Sequence, residues 1–273
     1  MTAAFKEVAP EPWRSRIHIR TPGAYGDPVG PTIQNLRARG RSWDDIVNSV
    51  LSQASRDDSN PMHPAGVVAE VSRAAPERSI LLSDVGAHHS WCVQQLEVPR
   101  DAMFLQSGGS ATMGFGVGAA IGAAFVADGR GTVIAVVGDG GFLTHPSAVA
   151  TAVEHDLPII WVVWNNAGYV SIRDLQRGFF GKERKFLTRF RKNGFGDLMS
   201  TDFAMLGRAM GAAGVHADNP ASLGDAITTA IRKKIPTVID VKIMAHAMRH
   251  AAGSWDLAAI AGPAPSYDLD PVR

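Results

Sequence analysis

Polar residues that could hold a cation follow two short apolar runs near the middle of the chain. The first run covers residues 133–137, and Asp139 follows it after Gly138. The second run covers residues 159–163, and Asn166 comes shortly after it. Runs of this length, rich in Val and Ile, are typical of buried parallel strands, whose carboxyl ends meet at one edge of a sheet. A carboxylate and an amide oxygen that converge beside glycines suit Mg²⁺, which prefers oxygen ligands and accompanies phosphates. The pattern therefore predicts a site for Mg²⁺ and a phosphate-bearing ligand.

The segment between the two runs must position these residues. Residues 144–155 carry Ala and Val at helical spacing, with Thr144 as the predicted N-cap and Pro146 in the first turn. A strand–helix–strand unit of this kind predicts an α/β fold: a three-layer, doubly wound, mostly parallel sheet with helices on both faces. The residues leave one alternative open, a Rossmann-type turn in which Asp139 only caps the next helix.

The composition is that of an ordinary globular protein, with 273 residues, 45% hydrophobic and 19% charged, enough for one substantial core. A net charge of +1 gives no electrostatic reason to expect nucleic acid or a membrane as a partner. Cys92, the one cysteine, excludes an internal disulfide and a cysteine-ligated iron–sulfur cluster built by this chain alone. The small apolar run at 114–127 is too short for a membrane span, and the N-terminus shows no secretion signal. We therefore expect a cytoplasmic protein.

Composition divides the chain into three predicted parts. Residues 1–60 form an N-terminal extension, rich in Pro and Gly at first, with one helix that begins near Ser42. Residues 61–250 form the α/β domain, and residues 251–273 form an irregular tail. Within the domain, the pattern predicts further helices at 64–75, 114–127, 202–210 and 222–232, further strands at 79–83, 214–216 and 237–241, and a mobile polar segment at 171–190.

Gly138-Asp139-Gly140, followed about two dozen residues later by Asn165-Asn166, resembles the signature of thiamine diphosphate-dependent enzymes. A lone Gly-Asp-Gly is weak evidence, but both halves at the ends of consecutive predicted strands make the match specific. In that family the aspartate, the second asparagine and a backbone carbonyl two residues later hold the metal on the cofactor's diphosphate. The resemblance thus implies thiamine diphosphate and Mg²⁺ as cofactors, with Asp139, Asn166 and the carbonyl of Gly168 as metal ligands.

Two further stretches resemble the diphosphate-binding (PP) domain at the C-terminal end of acetolactate synthase-like enzymes, so that the resemblance covers about two thirds of the chain. Residues 83–88 resemble a loop that touches the diphosphate, although Ala87 stands where the family commonly has Gln. Residues 107–116 resemble a Gly-Gly-x-x-Thr-Met-Gly stretch, whose Met wedges between the two rings of the cofactor. That match implies two catalytic contributions: Met113 is the wedge, and the carbonyl of Ala111 receives the 4′-amino hydrogen. A gap-filling core role for Met113 is the alternative.

The same resemblance implies which residues contact the cofactor. They are Val85, Gly86, Ala87, His88, Gly109, Ala111, Met113, Gly138, Asp139, Gly140, Gly141, Asn166, Gly168, Tyr169 and Val170, with Gly140 and Gly141 as backbone donors at a helix N-terminus. For Tyr169, packing in the core is an equally good explanation. His88 is expected to donate to the diphosphate in either a neutral or a protonated state, and both states stay open. His89 is interpreted as structural, because adjacent side chains point in different directions, and His145 as a capping or surface residue.

Activation of the cofactor in this family needs a glutamate from a pyrimidine-binding (Pyr) domain, normally N-terminal in the same polypeptide. Residues 1–60 are too few and too irregular for that domain. The resemblance therefore implies a split enzyme, in which a separate pyrimidine-binding subunit completes an α₂β₂ assembly. The expected reaction on a small 2-oxo acid is decarboxylation with carboligation, as in acetolactate synthase.

Other functions compete with this one. A simple 2-oxo acid decarboxylase subunit is the first alternative, because the choice of acceptor depends on residues that another chain could supply. A non-catalytic regulatory subunit that binds a diphosphate or a nucleotide is the second, and a weakly binding homodimer without chemistry is the third. Split 2-oxo acid:ferredoxin oxidoreductases have a subunit of this size, but the single cysteine argues against them.

Overall fold

The computed structural model of the chain describes residues 59–108, 110–127, 129, 131–180, 186–245 and 247, the side chains at 177–180 excepted. Nearly all of the predicted extension and the whole predicted tail at 251–273 lie outside these ranges. The division into three parts and the helix near Ser42 therefore stay predictions. Within the described ranges no helix is both long enough and apolar enough to cross a membrane. The cytoplasmic location likewise stays a prediction.

Helices and strands alternate along the described part of the chain. The α-helices are α1 (Pro64–Ala74), α2 (Ala87–Gln95), α3 (Phe115–Ala127), α4 (Asp139–Phe142), α5 (Ala148–Glu154), α6 (Val170–Phe180), α7 (Phe203–Ala209) and α8 (Pro220–Lys233). The strands are β1 (Ile80–Ser83), β2 (Met103–Gln106), β3 (Val133–Gly138), β4 (Ile159–Asn165), β5 (Ala213–Ala217) and β6 (Thr237–Lys242). A turn of 3₁₀ helix covers Lys192–Gly194.

The strands form one six-stranded parallel sheet in the order β2-β1-β3-β4-β6-β5. β3 and β4 pair from Val133 with Ile159 to Gly138 with Trp164, and every residue of β4 is buried. The chain runs from β1 outward to β2 and returns to β3 on the other side of β1, so the strand order reverses between β1 and β3. In open α/β sheets, ligands bind at the carboxyl ends of the strands beside such a reversal. The predicted site belongs to this edge.

Alternate side chains of the sheet build a core on each face. Ile134 and Val136 of β3 belong to a cluster with residues of α1, α2 and α8, whereas Ala135 and Val137 belong to a cluster with residues of α3, α5 and α7. This alternation is expected, because successive side chains of a strand point to opposite faces. The predicted three-layer, doubly wound α/β fold with helices on both faces is confirmed.

One local prediction for the centre of the chain is wrong at its start. The helix predicted at 144–155 is shorter, because α5 covers only Ala148–Glu154 and the separate single turn α4 follows β3 directly. Thr144 is therefore not an N-cap, and its hydroxyl donates to the carbonyl of Gly141 (2.6 Å), which closes the α4 turn. The segment at 171–190 begins inside the helix α6, and its mobility stays a prediction.

Sequence analysis also overlooked α2 and β2. α2 carries two His and two Gln among its nine residues, so it has no clear apolar face, yet it buries Trp91 and Cys92. β2 has four residues, too few to show a period. In both elements the apolar periodicity of the sequence is weak, so packing against the rest of the fold determines the secondary structure.

Candidate functional site

Asp139 joins the two strand ends that the sequence places together. It lies directly after β3 and is 3% exposed, and its Oδ1 accepts a hydrogen bond from the N–H of Gly140 (2.7 Å). Its Oδ2 accepts from the backbone N–H groups of Asn166 and Gly168, both at 3.1 Å. The carboxylate thus holds the loop after β4 against the end of β3. The expected meeting of Asp139 with Asn166 at one edge of the sheet is observed.

The electrostatic environment of Asp139 favours a nearby cation. Burial raises the pKa of its carboxyl to about 6, while backbone hydrogen bonds, first among them the one from Gly168, lower it. Taking a carboxylate out of water disfavours its charged form unless a positive charge lies close to it. The backbone donors offset that cost in part. A metal ion beside Asp139 would stabilise the charged carboxylate further.

Asn166, whose backbone N–H is bonded to this carboxylate, also has a buried amide oxygen. Its Oδ1 is shielded from water and has no hydrogen-bond partner within the described part of the chain. Leaving such an atom without a partner costs free energy on the order of 1–3 kcal/mol, so it calls for a water, an ion or a ligand. The carbonyl of Gly168 accepts from the N–H of Val170 (3.1 Å) and keeps a second lone pair. Carboxylate, amide and carbonyl oxygens together fit the donor set of a hard divalent cation.

The loop after β1 brings His88 to the same edge. Gly86 adopts φ +155° and ψ −165°, a conformation that side chains rarely allow, and a Cβ there would lie 2.8 Å from Cε1 of His88. A Cβ on Gly138 would lie 3.1 Å from the same atom. Glycine at both positions therefore allows the imidazole to reach the end of β3. Its Nε2 is buried and has no hydrogen-bond partner among the described residues.

His88 is neutral at ordinary pH. Burial lowers its pKa to about 3, the charge of His89 adds to this effect, and a hydrogen bond to the backbone of Asp84 opposes it. Of the two protonation states that the sequence leaves open, the structure thus favours the neutral imidazole. Burial also lowers the pKa of the half-buried His89.

His88 is expected to make the protein less stable in mild acid. Its pKa is 6.5 in the unfolded chain and about 3 in the folded one, so below pH 6.5 the unfolded state binds more protons and the free energy of unfolding falls with pH. Between neutral pH and one pH unit below the unfolded pKa of His88, the wild-type free energy of unfolding should fall by about 1 kcal/mol because of this residue. The variant His88→Gln should lack this part of the fall. Urea unfolding of both proteins at the two pH values measures this difference.

The comparison with the wild type matters, because the raised pKa of Asp139 acts with the opposite sign in this range. His155→Gln is the control, since His155 is exposed at the end of α5, and it should keep the wild-type pH dependence. If His88→Gln also kept it, His88 would not be the buried neutral residue described above.

Asp84 links three loops of the site, a role that the sequence analysis missed. It follows β1, is fully buried, and accepts hydrogen bonds from the N–H groups of Gly114 (3.0 Å) and Gly116 (3.3 Å) around the start of α3. A Cβ on Gly141 would overlap its Oδ2, so Asp84 also lies against the Gly-Asp-Gly turn. Burial raises its pKa, and these backbone bonds lower it. The available signal was its place after a buried strand, the same as that of Asp139.

The glycine-rich loop before α3 contains the residues predicted to set the orientation of the two cofactor rings. Ala111 has a positive φ of 49°, and the N–H of Thr112 donates to the hydroxyl of Ser107 (3.2 Å). Met113 is half-buried and belongs to neither of the two core clusters, which argues against a gap-filling core role. The roles of Ala111 and Met113 stay predictions, and Gly109 lies outside the described residues.

The glycines of the Gly-Asp-Gly turn make room for protein neighbours. The N–H of Gly140 donates to Asp139, and the role of Gly140 as a donor to the diphosphate stays a prediction. A Cβ on Gly140 would overlap the ring of Tyr169, which contacts Phe190 edge-on at 5.1 Å. Tyr169 is still 37% exposed, so it packs only in part.

The remaining predicted contact residues lie at the same edge of the sheet. Val85 lies between β1 and α2, and Ala87 is the first residue of α2. Gly138 ends β3, and Val170 begins α6. Contact of these residues with a cofactor stays a prediction.

Residues 188–190 brace the loop that carries Gly168. They form an antiparallel bridge in which Arg189 lies opposite Gly168, flanked on both sides by backbone hydrogen bonds of 2.9 Å. Burial and the neighbouring Arg191 lower the pKa of Arg189, whereas the charge of Asp139 raises it. A cationic side chain thus acts on the carboxylate from a segment to which the sequence analysis gave no role.

A search of protein families identifies the region that contains these loops. Residues 84–241 match the family described as thiamine pyrophosphate enzyme, C-terminal TPP binding domain. The match covers more than half of the chain and includes the strand ends that carry Asp84, Asp139 and Asn166.

Curated relatives align with the same region. Acetolactate synthase isozyme 2 large subunit of Escherichia coli (strain K12) is 31% identical over 177 residues, which are 65% of this chain and 31% of that protein. Acetolactate synthase of Bacillus subtilis (strain 168) is 28% identical over 185 residues, 68% of this chain and 30% of that protein. Sulfoacetaldehyde acetyltransferase of Castellaniella defragrans is 29% identical over 196 residues, 70% of this chain and 31% of that protein. The aligned part thus spans about a third of the length of these relatives.

A solved structure shares the fold. The thiamine diphosphate-dependent 4-hydroxybenzoylformate decarboxylase of Rhodococcus jostii RHA1 superposes with a TM-score of 0.58 at 22% identity, covering 67% of this chain and 32% of that chain. At this level of identity the similarity supports the fold alone.

Proposed function

The chain belongs to the thiamine pyrophosphate enzyme family through its C-terminal TPP-binding domain, and on that premise we propose that Asp139, Asn166 and the carbonyl of Gly168 hold Mg²⁺ on the diphosphate. The resemblance to acetolactate synthase-like enzymes is confirmed, and thiamine diphosphate with Mg²⁺ is the cofactor of this family. One observation carries the assignment of the ligands: Asn166, whose backbone N–H is bonded to a carboxylate that a cation would stabilise, has a buried Oδ1 without a partner among the described residues.

His88 provides the second contact with the cofactor. Its buried Nε2 has no partner within the described ranges, and the ring reaches the end of β3. The hydrogen bond to the backbone of Asp84 uses the one proton of the neutral ring on Nδ1, so Nε2 would donate to a phosphate oxygen only after taking up a second proton, which a bound anion would favour. Arg189 adds positive charge near Asp139, which favours an anionic ligand at this edge.

The glycine-rich loop would orient the two rings of the cofactor. The Ala111 carbonyl would accept the 4′-amino hydrogen of the bound cofactor, and the Met113 side chain would lie between its rings, as the family motif implies. The half-buried position of Met113 outside both cores supports this role. Asp84 holds the loop in place through its bonds to the backbone of Gly114 and Gly116.

The reaction we propose is decarboxylation of a small 2-oxo acid followed by carboligation. Thiamine diphosphate, when bound, supplies the electron sink for breaking a bond next to a carbonyl group. The residues of this chain bind the metal and the diphosphate and fix the orientation of the rings. The relatives named acetolactate synthase and the Thr112-Met113 stretch support this choice over simple decarboxylation.

A second polypeptide would complete the active site. We infer that it carries the pyrimidine-binding domain with the activating glutamate and that the two chains form an α₂β₂ assembly. Large apolar side chains lie exposed on α6 and on both sides of residues 188–190: Ile172, Phe186, Leu187, Phe195, Leu198 and Met199. A group of such side chains around a site supports a protein–protein contact there.

Calorimetry on the full chain tests the cofactor assignment. We expect thiamine diphosphate to bind only when Mg²⁺ is present, and NAD(H) not to bind, because the site offers metal ligands for a diphosphate. Tight binding of NAD(H) without binding of thiamine diphosphate would favour the alternative of a nucleotide-binding regulatory subunit.

Reconstitution tests the partner. The chain mixed with a separate chain that carries a pyrimidine-binding domain should release CO₂ from a 2-oxo acid, whereas neither chain alone should do so at a comparable rate. Normal turnover by this chain alone would contradict the need for a partner. Product analysis with and without an acceptor aldehyde or ketone then separates carboligation from simple decarboxylation.

A further inference from the structure

Asn165, the residue before the proposed metal ligand Asn166, is anchored in a buried hydrogen-bond network. It is 3% exposed. Its Nδ2 donates to the carbonyl of Thr201 (2.8 Å) and to Oδ1 of Asp240 (3.0 Å), and its Oδ1 accepts from the hydroxyl of Ser200 (3.2 Å). Both polar atoms of this side chain are therefore used by the protein itself, in contrast to the Oδ1 of Asn166.

Asp240 is the centre of the network. It lies on β6, is 1% exposed, and its Oδ2 accepts from the N–H of Phe203 (3.0 Å). The Nζ of Lys242 lies 3.5 Å from the same oxygen and donates to the Ser200 hydroxyl (2.8 Å). Lys242 thus supplies a positive charge for the buried carboxylate. We call Asn165, Asp240, Ser200 and Lys242 the Asn165 network.

We propose that the Asn165 network positions Asn166 and the Gly168 carbonyl for Mg²⁺, an inference that rests on the proposed function of this site. Successive side chains of a strand point to opposite faces, so the network holds the end of β4 from one side while Asn166 lies beside Asp139. The backbone carbonyl of Asn165 also accepts from the N–H of Ile243 (3.1 Å). The last residue of β4 is thereby fixed through its main chain and its side chain.

The anchoring of the end of β4 should affect Mg²⁺ binding as well as folding. Mg²⁺ demands near-ideal octahedral geometry with short bonds to oxygen, so a small displacement of the end of β4 moves two proposed ligands out of place together. Residues that orient metal ligands from behind are typically worth about 10–100-fold in metal affinity. Asn165 and Asp240 would act as positioning residues of this kind.

Asp240→Asn removes one hydrogen bond of the network and the charge that pairs with Lys242, with little change in volume. Both oxygens of Asp240 accept hydrogen bonds, one from Asn165 and one from Phe203, whereas an asparagine side chain accepts through one oxygen alone. The apparent Kd for Mg²⁺, measured by calorimetry on the full chain with saturating thiamine diphosphate, is expected to rise about 10-fold.

The reciprocal exchange restores the bond between β4 and β6. In the double variant with Asn165→Asp and Asp240→Asn, the carboxylate on β4 accepts from the amide on β6, and the amide oxygen still accepts from the N–H of Phe203. The bond to Thr201 is lost, two oxygens face each other there, and Lys242 no longer faces a carboxylate on β6. The Mg²⁺ affinity is therefore expected to recover in part from that of Asp240→Asn, because the restored bond is charge-assisted.

Two further variants keep the test decisive. Ser200→Ala removes one hydroxyl at an exposed position, so it should fold and should weaken Mg²⁺ binding about threefold even if Asp240→Asn does not fold. Glu70→Gln is the control, because it breaks a partly buried pair with Arg73 (Nε to Oε2, 3.1 Å) on α1, outside the site. It should lower thermal stability and leave the Mg²⁺ affinity unchanged.

The possible results separate this inference from the proposed function. If Ser200→Ala and a folded Asp240→Asn both bound Mg²⁺ as tightly as the wild type, the network would serve stability alone and the inference would be overturned. If the wild-type chain itself showed no Mg²⁺-dependent binding of thiamine diphosphate, the proposed function would fail instead.

Discussion

Replacing Asp139 with alanine is expected to weaken Mg²⁺ binding by about 100-fold or more, because even residues that only orient a metal ligand are worth 10–100-fold. The change removes a proposed ligand and also the acceptor for the N–H groups of Gly140, Asn166 and Gly168. The loop after β4 would then lose its bonds to the end of β3. Retention of thiamine diphosphate should fall with the metal affinity, and calorimetric titration of Mg²⁺ at saturating cofactor measures both.

Two variants show which of these losses matters. Asp139→Asn keeps the volume and can accept the bonds from Asn166 and Gly168, so it should preserve the loop and still bind Mg²⁺ poorly, because the charge is gone. Glu154→Gln removes an exposed carboxylate of α5 and should leave binding unchanged. Wild-type Mg²⁺ affinity in a folded Asp139→Ala protein would exclude Asp139 as a ligand.

The meeting of Asp139 and Asn166 could be predicted from the sequence for a simple geometric reason. Parallel strands joined by a helix end at the same edge of the sheet, and both strands are marked by continuous apolar runs. The small polar clusters that follow these runs therefore had to lie close together. The three-layer fold follows from the same apolar runs and from the helices between them.

Asp84 and Arg189 could not be found in the same way. Asp84 acts on the backbone of a loop about thirty residues away, and a backbone N–H leaves no mark in the pattern of side chains. Arg189 reaches the site because residues 188–190 form an antiparallel bridge with the Gly168 loop. Contacts of this kind depend on the tertiary path of the chain, which local periodicity does not encode.

The glycines of the site meet a requirement that the motif alone does not reveal. The N–H of Gly140 is bonded to Asp139, and a Cβ there would overlap Tyr169. Gly141 lies against the carboxylate of Asp84 in the same way. Both positions need glycine because protein neighbours approach closely, a requirement that is visible only in the folded chain.

Gly114→Ala is expected to lower the free energy of unfolding by about 2–3 kcal/mol, the sum of a left-handed backbone penalty and a disturbed hydrogen bond. Gly114 has φ +86°, and a Cβ there would overlap Oγ1 of Thr144 and Nδ1 of His145. Thr144 cannot yield easily, because its hydroxyl is bonded to the carbonyl of Gly141 (2.6 Å) and lies 2.8 Å from the His145 ring. Urea unfolding at neutral pH measures the loss.

Gly118→Ala is the matched control, four residues further along and inside α3. A Cβ on Gly118 meets no atom within 4 Å, so alanine there should stabilise the protein by about 0.5–1 kcal/mol through its higher helix propensity. The two substitutions add the same methyl group, so opposite effects isolate what is special to Gly114, its left-handed backbone and its close approach to Thr144 and His145. Because the Gly114 N–H donates to Asp84, the damage should extend to the site and weaken cofactor binding. A Gly114→Ala protein as stable as wild type would show that these loops can separate without cost, which would remove the rigid support that the proposed metal site requires.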